Sequence, residues 1–220
     1  MDTPTVAEAE ELQRSLRNRV DLSTGLPAPA RLVAGLDVSY RQDSAGVAAA
    51  VVLIDVSAPP SPAPAIVESA VVFGEVTFPY VPGLLGFREV PFLLAALDRL
   101  TTAPDVLMCD GYGIAHPRRF GLACHLGVVT GLPSFGVAKT AFTTRFDPPG
   151  PGRGQWSPLV DGDETLGRAV RTQAGVKPVF VSAGHRITLD QATELTLATS
   201  PRYRIPEPTR QADQLSRRAL

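Results

Sequence analysis

The chain has 220 residues, 44% of them hydrophobic, and a formal net charge of −1. That length supports one sizeable core, and no run of about 18 apolar residues exists to cross a membrane. Two cysteines, Cys109 and Cys124, both in apolar contexts, make neither a disulfide framework nor a zinc site and read as inert core thiols. Met1 to Leu26 lacks the apolar stretch of a secretory signal, so a cytoplasmic location and no membrane association are expected. Charge is uneven: residues 1–109 carry 7 basic and 13 acidic side chains, residues 110–220 carry 14 and 9. An acidic half beside a basic half suits a metal site next to a polyanion track, or only a dipolar surface.

In chain order, Thr5 to Val20 has apolar residues at helical spacing and predicts an amphipathic helix. Asp21 to Ala30, with Gly25, Pro27 and Pro29, reads as a linker. Three strands follow: Arg31 to Tyr40, Val47 to Val56, and Ala65 to Phe78, with a proline-rich loop at Ala58 to Ala65. Short connections make an antiparallel meander the simplest topology. Leu84 to Leu100 predicts a helix, with Pro91 either near its first turn or kinking it. Asp105 to Asp110 is a buried fourth strand, Arg119 to Thr130 a helix, and Pro133 to Ala138 a fifth strand. Asp147 to Pro158 reads as a flexible Gly- and Pro-rich loop. Val160 to Thr172 and Pro178 to Ser182 read as strands, and Thr188 to Thr199 as a helix. One domain is expected over residues 1–220, with residues 1–30 its N-terminal helix and linker and residues 201–220 a basic C-terminal tail.

Three strands, a helix, a strand, a helix and a strand make a ribonuclease H-like α/β order. Its sheet is mixed, three antiparallel strands followed by parallel ones, flanked by helices. In that arrangement the first and fourth strands lie side by side and parallel, which brings Asp37 and Asp110 together. A lone buried acid most often serves as a structural hydrogen-bonder. Two on adjacent strands repel each other, and a divalent cation relieves the repulsion. Mg²⁺ takes one or two carboxylates plus waters and phosphate oxygens. Glu89, on the preceding helix, is a third acid. Lys139, ending the fifth strand, is placed to meet a phosphate or a leaving oxygen as a point charge.

Other features point toward nucleic acid. Pro79-Tyr80-Val81-Pro82 is a stiff loop holding one aromatic outward, a shape that can wedge into a base stack. Gly83, Gly111 and Gly136 offer backbone for a tight pocket suited to an extruded base. His116 and Arg118 add a titratable ring and a fixed positive charge. Ser182 to Arg186 reads as a turn after a strand, with His185 able to hold a phosphate or simply to cap. Arg204 lies in the basic terminal stretch, which ends with one more acid, Asp213.

Taken together, these segments resemble the endonuclease V family. The matching stretches are Gly35-Leu36-Asp37, Phe78 to Leu85 with Phe87-Arg88-Glu89, Asp110 to Arg118, Gly136 to Lys139, Gly184-His185-Arg186, and Tyr203 to Arg210. The resemblance implies Mg²⁺-dependent hydrolysis of a phosphodiester, with Mn²⁺ as a substitute. The family cuts at the second phosphodiester 3′ to inosine, leaving 3′-hydroxyl and 5′-phosphate ends. Asp37, Glu89 and Asp110 fall on its metal acids, Lys139 on its active-site lysine, and Pro79 to Pro82 on its strand-separating wedge. Asp213 falls on a further acid-or-histidine position near the site. Gly83, Leu85, Gly111, His116, Arg118, Gly136, Lys139, His185 and Arg204 are the remaining expected nucleic-acid contacts. The expected partner is deoxyinosine-containing DNA, single- or double-stranded, and the expected state is a monomer. Inosine-containing RNA as substrate, and a non-catalytic nucleic-acid-binding module, both stay open.

Overall fold

Thr5 sets the start of the first helix by a reciprocal cap. Its hydroxyl accepts from Glu8 N–H at 3.3 Å while Glu8 Oε2 accepts from Thr5 N–H at 2.8 Å. In the computed structural model, which describes residues 3–42, 44–57 and 65–220, helix α1 then runs Val6–Arg17. The meander follows as β1 (Leu32–Tyr40), β2 (Gly46–Asp55) and β3 (Ala65–Glu75), each antiparallel to the one before. The loop expected before β3 lies, at residues 58–64, outside the described residues.

Helix α2 (Gly86–Leu97) carries Pro91 in its interior, where the missing N–H removes one helical hydrogen bond. Strand β4 (Val106–Cys109) is followed by α3 (Leu122–Thr130), β5 (Ser134–Ala138), β6 (Trp156–Asp161), β7 (Glu164–Val170) and β8 (Val179–His185). The expected loop at 147–158 therefore ends early. Trp156, Ser157 and Pro158 belong to β6, an edge strand, where a proline removes no needed ladder bond. Helices α4 (Leu189–Ala198) and α5 (Glu207–Ala219) complete the chain.

The sheet has eight strands in the order β3-β2-β1-β4-β5-β8-β7-β6. β1, β4 and β5 are mutually parallel, as the ribonuclease H-like reading requires, and β8, β7 and β6 return antiparallel. Side chains alternate between faces with period two. Ala34 and Leu36 join Leu107, Cys109, Leu93 and Leu126 under α2 and α3. Val33, Met108, Phe135 and Val181 face the other way, with Ala192 of α4. Ala212 of α5 packs on Ala50, Val52 and Ile54 of β2.

The expected tail is thus a helix, and the reason is in β1. A Cβ on Gly35 would lie 2.0 Å from the Pro208 carbonyl carbon, so only glycine lets α5 sit flush on the strand. Both cysteines are free and buried, with thiols pushed up in pKa by burial. Among the described residues no helix is long and apolar enough to cross a membrane.

Candidate active site

The parallel β1–β4 ladder pairs Leu36 with Cys109, and Asp110 N–H then donates to Leu36 O at 3.2 Å. Asp37 and Asp110 are therefore neighbours at the strand ends. Both share the parity of Gly35 and Met108, so both turn to the face that α5 covers. Asp213 comes down from α5, and one carboxylate oxygen from each of Asp37, Asp110 and Asp213 lies within 4.8 Å of the others.

Neighbours hold this group in place. Ser216 Oγ lies 2.9 Å from Asp37 Oδ2 and 2.7 Å from Ser39 Oγ. Lys139 Nζ is 2.5 Å from Asp110 Oδ2 and 3.6 Å from Asp213 Oδ1, and Arg217 Nη2 is 3.0 Å from Asp213 Oδ1. Burial, and then the charge of Asp110, push the Asp37 carboxyl up to about 7. Burial works against the Lys139 charge, yet Asp110, Asp213 and Asp37 together outweigh it and the amine is held above its ordinary range.

Glu89 reaches the same sheet end from the opposite face. It is 6% exposed, its Oε1 accepts from Tyr40 O–H at 2.9 Å, and burial pushes its carboxyl up to about 8. Sequence reasoning ranked Glu89 above Asp213 as a ligand. The structure clusters Asp213 with Asp37 and Asp110, and Glu89 faces them from the other side of the sheet. Three crowded carboxylates, one of them raised by burial, fit a divalent cation that would relieve their repulsion. An all-oxygen donor set selects a hard ion.

Two residues past Asp110, Tyr112 enters the wall of a pocket of about 200 Å³ between α1, the 80–86 segment and the start of α3. That is below the ~300 Å³ at which drug-sized sites begin, so it suits one planar ring system. Leu85, Tyr112, His116 and Phe142 line it, with Tyr112 and Phe142 rings stacked at 5.5 Å between centroids. Tyr80 stands at its rim, 72% exposed.

The loop carrying Tyr80 is fixed through one carbonyl. Gly83 has φ +83°, a left-handed conformation that favours glycine, and its C=O accepts from Gln13 Nε2 (3.0 Å), His116 Nε2 (3.1 Å) and Arg118 Nη2 (3.0 Å). His116 Nδ1 accepts from Arg118 N–H at 3.2 Å, which assigns the ring proton to Nε2. Burial, and then Arg118, lower the His116 pKa to about 4, so the ring is neutral near pH 7.

Several residues expected to contact nucleic acid make contacts within the protein. Arg118 donates to Gly83 and Gln13 and pairs with Glu10, and so anchors the loop. Arg204 donates to the carbonyls of Lys139 (2.5 Å), Lys177 (3.0 Å) and Pro178 (2.8 Å) and so sets the path of the Lys139 segment. His185 belongs to β8 and not to a turn; it pairs with Ser134, and its Nδ1 accepts from Asp21 N–H at 3.1 Å. Ser134 begins β5 whereas Lys139 follows its end, so His185 sits at the opposite end of the sheet from the acids. Gly111 and Gly136 do not line the pocket. A Cβ on Gly136 would lie 2.4 Å from Gly111 O, so that glycine lets two backbones touch.

Sequence reasoning missed Ser216 and Arg217 because it missed their helix. Its signal was Pro206-Glu207-Pro208 ahead of Thr209, Ala212 and Ser216, small residues at helical spacing. It also missed Gln13, a polar residue 4% exposed on the inner side of α1.

The family model described as Endonuclease V matches residues 14–214. An Endonuclease V of Streptomyces avermitilis is 54% identical over 217 residues, spanning 98% of this chain and 93% of its own. The crystal structure of that relative superposes with a TM-score of 0.92 at 54% identity, covering 99% of this chain and 94% of the other. The Endonuclease V of Ciona intestinalis was solved in complex with a 24mer DNA containing an inosine followed by a ribo-adenosine. It is 27% identical with a TM-score of 0.82, over 97% of each chain. An Argonaute of Aquifex aeolicus, 14% identical with a TM-score of 0.52 over 88% of this chain and 29% of that one, shares the fold alone.

Proposed function

The chain belongs to the endonuclease V family, and we propose that it is a Mg²⁺-dependent DNA repair endonuclease directed to deoxyinosine. Its cut falls at the second phosphodiester 3′ to the lesion and leaves 3′-hydroxyl and 5′-phosphate ends. One observation carries the reading: an acid trio with a lysine against it stands beside a pocket that fits a single base, with an exposed aromatic at its rim.

Each residue then has a task. Tyr80 inserts into the base stack, and Gly83, gripped by three donors, keeps its loop rigid under that load. The inosine base enters the pocket between Leu85, Tyr112 and Phe142, where a water-poor wall strengthens every polar contact to its edge. Asp37, Asp110 and Asp213 would hold the ion, whose charge would also favour ionisation of Glu89 on the other face of the sheet. When bound, the ion lowers the pKa of an attacking water and neutralises charge building on the phosphate oxygens. Lys139 stands by Asp110 as a positive point charge beside the scissile phosphate.

The inosine-containing DNA in the Ciona relative supports the base assignment, and its ribo-adenosine keeps inosine-containing RNA as a second reading. The deciding experiment offers matched strands carrying inosine or adenine, as DNA and as RNA, with Mg²⁺. Cleavage of the inosine DNA and not of the adenine DNA is expected. Cleavage of the inosine RNA alone would shift the assignment to an endoribonuclease, and cleavage of neither would leave a binding module.

A further inference from the structure

A second cleft adjoins the acids. It holds about 540 Å³ between the β1–β2 turn and the C-terminal helix. Asp37, Lys139 and Asp213 form its inner wall; Arg41, Gln42 and Arg217 form its outer wall. It shares no lining residue with the base pocket, whose wall Tyr112 joins two residues past Asp110. The two cavities differ in chemistry: rings and aliphatic carbons wall the first, polar and charged groups the second.

The arginines of the outer wall have capacity to spare. Arg41 is exposed, and among the described residues its Nη2 reaches the backbone oxygen of Leu220 at 3.4 Å. The Arg217 side chain is 69% exposed and, among the described residues, pairs with Asp213. A guanidinium carries five donors in a planar fork, so both heads keep donors for a further anion. Phosphate is the anion such forks bind bidentately.

Strand polarity decides which phosphates arrive there. This step rests on the function proposed above. With inosine in the base pocket and the cut on its 3′ side, the strand crosses the acids and leaves by the far cleft. We infer that the cleft between Arg41 and Arg217 binds the phosphates of the strand 3′ to the cut and retains the 5′-phosphorylated product. The cleft thereby fixes the direction in which the substrate lies across the acids.

Arg41 is the cleaner reporter, since Arg217 touches Asp213. The full-length protein and its Arg41→Ala and Arg41→Ala/Arg217→Ala variants are compared on inosine strands with short and long 3′ flanks. Wild-type kcat/KM is expected to rise several-fold with the longer flank, and Arg41→Ala to flatten that rise through KM. The salt slope of binding should fall by about 0.7 for each phosphate contact removed from a single strand. A wild type indifferent to flank length, or variants that lose equally on both flanks, would overturn the inference. Binding of a 5′-phosphorylated oligonucleotide without inosine keeps the two claims apart. If the wild type cuts no inosine strand, the proposed function fails. Oligonucleotide binding that is weakened several-fold in the double variant would still uphold the cleft, and equal binding would overturn it.

Discussion

Ser216 Oγ donates to Asp37 Oδ2 across 2.9 Å, joining residues 179 positions apart. Ser39 Oγ is 2.7 Å and Asp213 O 3.0 Å from the same hydroxyl, so with Ser216 donating to Asp37 it is Ser39 that donates to Ser216. The bond stabilises the ionised form of Asp37 against its burial. Ser216→Ala removes it with no cost in helix propensity. The Asp37 pKa then rises further, and the acid limb of the pH–rate profile moves up with it. The pH dependence of kcat/KM checks this; an unmoved acid limb would show that the hydroxyl has no part in charging Asp37.

Stability of the metal-free protein should depend on pH in a defined sense. Asp37 and Glu89 have folded pKa values of about 7 and about 8, above the unfolded carboxylate values of roughly 4. A raised folded pKa contributes stability that is present below the unfolded value and lost as pH rises through the folded one. The melting temperature without metal is expected to fall from pH 5.5 to pH 8.5. Mg²⁺ or Mn²⁺ should restore it most at the alkaline end, by on the order of 2.7 kcal/mol at a hundred times Kd. Thermal melts at both pH values, with and without the ion, read this out.

Asp110→Asn keeps the shape of the strand end but removes the charge that the ion and Lys139 both need. A loss of about 4 kcal/mol, roughly a thousandfold in rate, is expected for cleavage. Binding to inosine-containing DNA should stay within a few-fold of wild type. Single-turnover rates and equilibrium binding on one substrate separate the two. Wild-type cleavage by this variant would remove Asp110 from the site.

Tyr80→Ala tests the wedge. The ring is 72% exposed and supports little of the fold, so stability should move by less than about 0.5 kcal/mol. Affinity for an inosine duplex should fall by ~1–3 kcal/mol, the worth of one aromatic–base stack. The loss should be smaller on a strand that is already single. Equal losses on both substrates would argue against strand separation.

Gly35→Ala tests the seat of α5. The added Cβ would lie 2.0 Å from Pro208 C, and neither backbone can give way cheaply. Overpacking should cost about 1–3 kcal/mol. Cleavage and ion affinity should both drop, because Asp213 and Ser216 ride on the displaced helix. Calorimetry together with Mn²⁺ titration distinguishes this from simple unfolding, which would abolish ion binding altogether.

The parts legible in the sequence are those written in large apolar residues. Val106 to Cys109 is fully buried, and Leu36 and Val51 sit under α2, so β1, β2 and β4 followed from their apolar runs. Their order placed Asp37 beside Asp110. Helix α5 was not legible, because its buried side carries Thr209, Ala212 and Ser216, small residues that fit only against a glycine-notched strand. Losing the helix hid how Asp213 reaches the site. His185 was misplaced for a related reason: Ser182-Ala183-Gly184 looks like a turn, yet a Cβ on Gly184 would meet Ser134 O at 2.7 Å, the signature of close strand contact. Arg118 and Arg204 show a further limit. Charge marks a residue as able to bind phosphate, while only the fold reveals that backbone carbonyls already occupy it.

The most direct measurement places one inosine in an end-labelled duplex, adds Mg²⁺, and maps the break at nucleotide resolution. A single nick at the second phosphodiester 3′ to the inosine, with 3′-hydroxyl and 5′-phosphate ends, is the predicted result. Absence of a nick, or nicks that fall equally on the adenine control, would contradict it.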